Sequence, residues 1–371
     1  MIRVLQSVSN MDRGGIETML MNFYRHADRE KVQFDFLANK PDPGDYDEEI
    51  KALGGRIFVS PGYMSYRNYI NFMTDLFREH PEYQIIHTHN GSLMLYALRS
   101  AKKNNIPVRI AHAHATAVPV GLKNKLKKLM RPMIKYAATD YWGCSDAAGK
   151  FYFSEKRWNN RHELIHNAIQ VDNFTFNETA RAAIRSRYGL GDKFVIGHVG
   201  RLAPQKNQKK ILELFAELHK LDANTHLVII GTGELENALK KQTAELGLTD
   251  AVTFTGVQTN VNEWYSAFDA FVMTSLYEGL PVVAIEAQAA DLPCVLTDTI
   301  TPEVKVTDNV RFLGLNDAPL LWAKTVLDLQ PKTRTSRFAE LSQAGYDIQS
   351  EALRMQELYL SLYAAIGEKK V

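Results

Sequence analysis

The sequence predicts an α/β protein made of two doubly wound parallel-sheet domains, and three observations carry that expectation. Short apolar strands alternate with amphipathic helices along most of the chain, the mark of repeated βαβ units. The alternation lapses at Asn167–Glu178 and then restarts. The length, 371 residues, exceeds what one hydrophobic core usually organises. The expected division is 1–170 for the first domain, 171–349 for the second, and a final helical segment, 350–371.

In the first half, strands are expected at Arg3–Val8, Phe34–Leu37, Arg56–Val59, Gln84–His87, Val108–Ala111, Asp140–Cys144 and Glu163–His166. Helices are expected at Ile16–His26, Ile70–Arg78, Leu93–Lys103 and Leu122–Tyr136. The first of these places Ile16, Met19, Leu20 and Phe23 on one face. In the second half, strands are expected at Phe194–Val199, His226–Ile230, Val252–Phe254, Ala270–Met273, Cys294–Leu296 and Val310–Phe312. Helices fall at Gln208–Leu218, Leu235–Glu245 and Val261–Ala267, and Ser350–Ile366 forms a last long helix. Two such halves would open a cleft between their strand carboxyl ends, where open α/β sheets bind ligands.

Composition narrows the function classes. With 45% hydrophobic residues, 23% charged residues and a net charge of +2, the chain has the balance of neither a nucleic-acid binder nor an acidic tail. Cys144 and Cys294 are too few and too far apart for a disulfide scaffold or a cysteine metal site, which fits a reducing cytoplasm. No run approaches the roughly 20 apolar residues that cross a bilayer. The start, MIRVLQSVSN, reads as a strand rather than a leader.

The stretch Ser275–Ala287, SLYEGLPVVAIEA, sets two carboxylates eight positions apart in an apolar setting. Glu278 falls in the loop leaving a strand, Pro281 suits the first position of a helix, and Glu286 lies in that helix's second turn. The helix N-terminus between them is an anion site. Hydroxyl acceptors flanking an anion site suit a nucleotide sugar; the plainer alternative is Glu278 as a cap and Glu286 paired to a neighbour. Three more loops follow strands. NMDRGGIE puts Gly14 and Gly15 before a helix, where bare backbone can approach phosphate or simply turn. GRLAPQKNQ offers Arg201 and Lys206 as a diphosphate clamp or as a solvated basic loop. GTGELE, with Gly231 and Gly233, could hold a base and ribose or merely turn.

Taken in order, GGIE, HAT (His114–Thr116), HNAI with Phe174 beyond it, GRLAPQKN, GTGE and SLYEGLPVVAIEA resemble the family 4 retaining glycosyltransferases of GT-B architecture, of exopolysaccharide and capsule type. The resemblance spans nearly the whole chain, and the two-glutamate segment with its EGLP core is its most specific part. It implies a fold of two Rossmann-like domains facing across a cleft, with the last helix crossing back to the first. It also implies that Glu278 touches the donor sugar and Glu286 the ribose. Arg201 and Lys206 would neutralise the diphosphate, and Gly15 would face it from the first domain. Gly279, Leu280, Pro281 and Val282 would supply backbone groups, and Val257 would lie near the base. His114 matches the histidine beside the donor sugar, with His112 as a second candidate and His89 as an acceptor contact. The implied reaction retains anomeric configuration and needs no metal or other cofactor.

Other features are weighed beside these. His87/His89 and His112/His114 are both H-x-H pairs, which share a strand face and could chelate a metal; lacking an evident third ligand, they are expected simply at cleft-facing strand ends. Gly121–Ala138 holds six cations and no acid, with Leu122, Leu126, Leu129, Met130, Met133 and Ile134 on one helical face. That is the pattern of a basic interfacial helix, or of a packed helix with a solvated basic side. Tyr63, Tyr66, Arg67 and Tyr69 are candidates for an acceptor rim, against local packing. The reading is a cytoplasmic enzyme, peripheral at the membrane's inner face, moving sugar from a UDP-sugar or other nucleotide sugar to a glycan acceptor, lipid-linked in polysaccharide assembly. The alternatives are a nucleotide-sugar 2-epimerase and a non-catalytic sugar-nucleotide-binding partner.

Overall fold

The computed structural model describes residues 1–62, 65–115, 129–160, 162–329 and 333–368. The chain divides into two units, Met1–Ile169 with Ile348–Val371, and Gln170–Asp347. In the first, β1 (Ile2–Val8), β2 (Val32–Ala38), β3 (Ile57–Val59), β4 (Ile85–Thr88), β5 (Val108–Ala113), β6 (Asp140–Gly143) and β7 (Glu163–Leu164) form a sheet in the order β3-β2-β1-β4-β5-β6-β7. Every pairing is parallel, Val4 lying opposite Phe34 on one side and Ile85 on the other. Parallel strands need crossovers, so helices cover the faces, and β1 and β2 are nearly continuous apolar runs with buried side chains. Helix Gly15–His26 buries Met19, Leu20 and Phe23 against this sheet's core, and Tyr24 stacks on Phe34 with ring centroids 5.3 Å apart.

The long helix Ile348–Glu368 belongs to this first unit. Ile348, Ala352, Met355 and Tyr359 are buried in the same core cluster as Val4, Phe34 and Trp142. The last segment of the chain therefore completes the core begun by the first.

The second unit holds β8 (Phe194–Val199), β9 (Thr225–Ile230), β10 (Val252–Gly256), β11 (Ala270–Met273), β12 (Cys294–Thr297) and β13 (Val310–Leu313) in the order β10-β9-β8-β11-β12-β13, again all parallel. Strand order reverses at β1 in one sheet and at β8 in the other. Such switch points are where open α/β sheets leave a crevice for ligands beyond the strand carboxyl ends. The loops after β8 and β11 meet at the second unit's switch point.

Several expectations need correction. The helix foreseen at Leu122–Tyr136 has residues 122–128 outside the described part; Arg131–Tyr136 is a 3-10 helix with Pro132 near its start, where the missing N–H cannot continue an α-helical ladder. Its expected single apolar face divides: Met130 and Ile134 are buried, Leu129 and Met133 exposed. The strand foreseen at Glu163–His166 is only two residues long, and Val171–Phe174 forms a helical turn in the expected linker. Helix Glu178–Arg187 carries too little apolar periodicity to be read from sequence. It is held instead by Arg181, which donates to the buried Asp269 at 2.6 Å, and by Arg185 on the same carboxylate. Among the described residues no helix is long and apolar enough to cross a membrane.

Because Met355 is fully packed in the first unit's core, Met355→Ala should lower unfolding free energy by about 2–5 kcal/mol. Urea denaturation checks this; an unchanged midpoint would mean that the last helix contributes little to that core.

Candidate active site

Among the described residues, five hydrogen bonds join the loops after β8 and β11. Leu276 N donates to Gln205 O at 2.8 Å, and Gln205 Nε2 donates to Tyr277 O at 2.9 Å. Asn207 Nδ2 donates to Thr274 O at 3.2 Å, and Thr274 Oγ1 returns a bond to Asn207 O at 2.9 Å. Lys206 Nζ donates to Glu278 Oε1 at 2.7 Å, with side chains only 19% and 9% exposed. Asn207 adopts the left-handed conformation, φ 53°, as the chain turns into helix Gln208–Leu221; an asparagine tolerates that region better than most residues. Arg201 stands exposed at the start of the same loop, and Gln208 Nε2 holds its carbonyl at 2.9 Å.

Glu278 is thus an ion-pair partner rather than a helix cap. Pro281 occupies the position before helix Val282–Ala289, not the first helical one as foreseen; its ψ of 110° is extended, which aims the chain into the helix. Pro281, at the N-cap, has no side-chain acceptor to offer that N-terminus, and Ala284 N donates to Pro281 O at 3.1 Å. Val282 and Val283 bring N–H groups and the positive dipole end to the switch point. Gly279 is half-buried and Leu280 buried between the ion pair and the helix.

Glu286 lies on the helix with Oε2 2.8 Å from the Tyr265 hydroxyl, which also sits 3.2 Å from Val283 O. Burial pushes the Glu286 carboxyl up to about 7, while the Tyr265 hydroxyl pulls the other way. At neutral pH it can therefore accept or donate a hydrogen bond.

Gly231 and Gly233 have a packing reason to be glycine. A Cβ on Gly231, whose φ is +130°, would lie 2.2 Å from Gly200 O, and one on Gly233 would lie 2.3 Å from Leu202 O. The two glycines let the loop after β9 press on the backbone that carries Arg201. Val257, beyond β10, is 63% exposed. In the first unit, a Cβ on Gly14 would strike Glu17 Oε2 at 2.3 Å, whereas one on Gly15 would meet nothing within 4 Å. Gly15 has open space beside its Cα at the carboxyl end of β1.

The two H-x-H pairs straddle the carboxyl ends of neighbouring strands, β4 and β5, and the structure brings them together. His87 Nε2 is 3.0 Å from His112 Nδ1, and His89 Nδ1 is 2.9 Å from His114 Nε2. Candidate ligand atoms of His87, His89 and His112 all fall within 4.8 Å of one another, so these three could hold a metal ion; the third ligand that sequence spacing did not offer is the adjacent strand's imidazole. Burial drives all four well below the ordinary histidine range, His114 to about 3. They are neutral at physiological pH. Tyr66 and Arg67 do not join them. Tyr66 instead lines a cavity of about 480 Å³ with Arg99, Lys102, Lys103, Met133 and Tyr136, and Arg67 is exposed beside it on helix Tyr66–Glu79. Tyr69 is fully buried in the core against Met73 and is no rim residue; Tyr63 and Thr116 lie outside the described residues. Sequence reasoning missed Gln205 and Tyr265, which position Lys206's loop and Glu286; neither stands in a motif. It also missed Gln6 and Tyr359, which bond the histidines.

Residues 13–173 match the family Glycosyltransferase Family 4, and residues 180–328 match Glycosyl transferases group 1. The chain is 36% identical over 368 residues to EpsF of Bacillus subtilis (strain 168), a protein named as a glycosyltransferase, covering 96% of each. It is 23% identical over 378 residues to the capsular polysaccharide biosynthesis glycosyltransferase CapH of Staphylococcus aureus, covering 97% of this chain and 99% of CapH. Among solved structures, Anabaena Alr3699/HepE in complex with UDP-glucose superimposes with a TM-score of 0.74 at 16% identity, covering 100% of this chain and 99% of that one.

Glu286 generates a pH prediction. Its carboxyl binds more protons in the folded chain than in the unfolded one between 4.5 and about 7, so its contribution to stability is fully present below 4.5 and is lost as pH rises through about 7. Thermal melts should therefore show Glu286→Gln gaining on the wild type across that window. A constant offset would contradict the raised value.

Proposed function

Because the chain belongs to the family 4 glycosyltransferases of GT-B architecture, we propose that it transfers sugar with retention from a nucleotide-sugar donor, a UDP-sugar, to a glycan acceptor. The observation that carries the donor assignment is the Lys206–Glu278 pair at the second unit's switch point, beside a helix N-terminus whose N-cap, Pro281, has no side-chain acceptor. Before the donor arrives, Lys206 is compensated by Glu278. An arriving diphosphate competes for the ammonium and turns the carboxylate toward sugar hydroxyls. Each group is then matched to one end of the substrate without either charge being left buried and unpaired. Arg201 and the Val282–Val283 N–H groups complete the anion site, and Glu286 takes the ribose.

Transfer needs a sugar gaining positive charge to leave a diphosphate gaining negative charge. Cations and helix dipoles fixed at the diphosphate lower that barrier without rearranging during the reaction. They do so without a metal, and Glu278 meets the sugar as positive charge develops. The resemblance to the family also assigns His114 to the donor sugar and Gly15 to the phosphates. The UDP assignment draws support from the UDP-glucose complex of Alr3699/HepE, and polysaccharide assembly from CapH's name. The acceptor is lipid-linked, and the enzyme works at the inner face of the membrane. Exposed Leu129, Met133 and Tyr136 among Arg131 and Lys135 form the described part of its contact segment, 121–138.

Calorimetry and turnover separate the roles. Arg201→Ala and Lys206→Ala should each lower transfer strongly. Glu286→Ala should weaken UDP by on the order of 10- to 150-fold, since a hydrogen bond to a charged group contributes about 1.5–3 kcal/mol. Glu278→Ala should leave UDP affinity unchanged or tighter, because Lys206 loses its competitor, while transfer falls. A Glu278→Ala protein that loses UDP as badly as Glu286→Ala would reverse the assignment of the two carboxylates.

A further inference from the structure

The histidine cluster in the first unit consists of two hydrogen-bonded chains that start from one amide. Gln6 Nε2 donates to the Tyr359 hydroxyl at 3.1 Å; that hydroxyl lies 2.6 Å from His87 Nδ1, and His87 Nε2 lies 3.0 Å from His112 Nδ1. Gln6 Oε1 lies 2.9 Å from His89 Nε2, and His89 Nδ1 lies 2.9 Å from His114 Nε2. Two nitrogens remain at the far ends. His112 Nε2 and His114 Nδ1 are buried without a hydrogen-bond partner among the described residues, on rings whose centroids are 4.0 Å apart.

A neutral imidazole has one N–H and one acceptor nitrogen, a hydroxyl has one hydrogen, and an amide donates from one end and accepts at the other. Provided that no buried hydroxyl hydrogen is left unbonded, these rules leave no freedom along either chain. With Gln6 as placed, its N–H occupies the Tyr359 oxygen, so the tyrosine hydrogen goes to His87 Nδ1. His87 then donates from Nε2 to His112 Nδ1, and His112 keeps its hydrogen on Nε2. On the other chain, Gln6 Oε1 takes the His89 Nε2 hydrogen, so His89 Nδ1 accepts from His114 Nε2–H. His114 Nδ1 is left as an acceptor. All four rings carry hydrogen on Nε2. Turning the Gln6 amide over reverses every bond, and all four then carry it on Nδ1. In both states one chain ends in a donor and the other in an acceptor.

We propose that Gln6 is a positioning residue whose amide orientation sets the tautomers of His87, His89, His112 and His114 together, so that His112 Nε2 and His114 Nδ1 always present one donor and one acceptor. Such a pair matches a hydroxyl group, which both donates and accepts, and mismatches a carboxylate or an ammonium. Placing the pair at the reacting sugar rests on the function proposed above; the tautomer rule does not. The rule gives these nitrogens a use that needs no metal ion.

The test is nitrogen-resolved NMR of the four imidazoles in the full chain. The wild type should show one tautomer throughout. In Gln6→Glu a carboxylate accepts from both Tyr359 and His89, so the rings should split: His87 and His112 with hydrogen on Nδ1, His89 and His114 with it on Nε2. Mixed tautomers in the wild type, or four unchanged rings in Gln6→Glu, would overturn the proposal. Should Gln6→Glu not fold, Tyr359→Phe serves: His87 and His112 should lose the shared tautomer while His89 and His114 keep it, and no change in any ring would overturn it. Transfer lost without any tautomer change counts against the proposal; a split that leaves transfer untouched counts against the functional reading alone.

Discussion

The bonding between the loops after β8 and β11 is the constraint on which the second unit's site depends. Lys206, Glu278 and the start of helix Val282–Ala289 come from segments about 72 positions apart, and five hydrogen bonds hold those segments in register. Each such bond is worth only about 1 kcal/mol net. Together they fix two flexible charged side chains before any ligand arrives, which removes an ordering cost from binding. The close approach of Gly231 and Gly233 to the Gly200–Leu202 backbone supports the same loop from its other side.

Parallel pairing decides where these loops can be. In each sheet the connections leave the strand carboxyl ends on one edge, and strand order reverses at β1 and at β8. Gly14–Gly15 and His89 follow the strands flanking the first reversal, β1 and β4; Arg201, Lys206 and Glu278 follow those flanking the second, β8 and β11. The two switch points therefore carry different groups: charged ones in the second unit, neutral imidazoles in the first. Burial explains the difference. A partly buried lysine can be balanced by its carboxylate, whereas four largely buried histidines, two of them packed on Trp142, are stable only as neutral, mutually bonded rings.

Strand and helix periods, and glycine or charge clusters just past apolar runs, were enough to read most of the strands and the residues of the candidate site from sequence. What escaped was pairing over distance. Gln6 and Tyr359 meet across 353 positions, and Tyr265 reaches Glu286 from a helix on another strand's connection. No local pattern marks such partners. The roles of Gly231 and Gly233 were likewise hidden, because their glycine identity answers to a neighbouring loop's backbone. The break before Tyr136 was legible in Pro132, but the long run of lysines and leucines outweighed it. Helix Glu178–Arg187 was missed because two arginines on one buried aspartate, not an apolar stripe, hold it in place.

We propose the β8 and β11 loops and the helix start between Glu278 and Glu286 as the diphosphate site. Amide hydrogen exchange with and without UDP tests it most directly. Exchange should slow in peptides covering 200–207 and 278–284, including the Val282 and Val283 amides, with little change in the core strands. Unchanged exchange in both segments under saturating UDP, or protection confined to other parts of the chain, would contradict it.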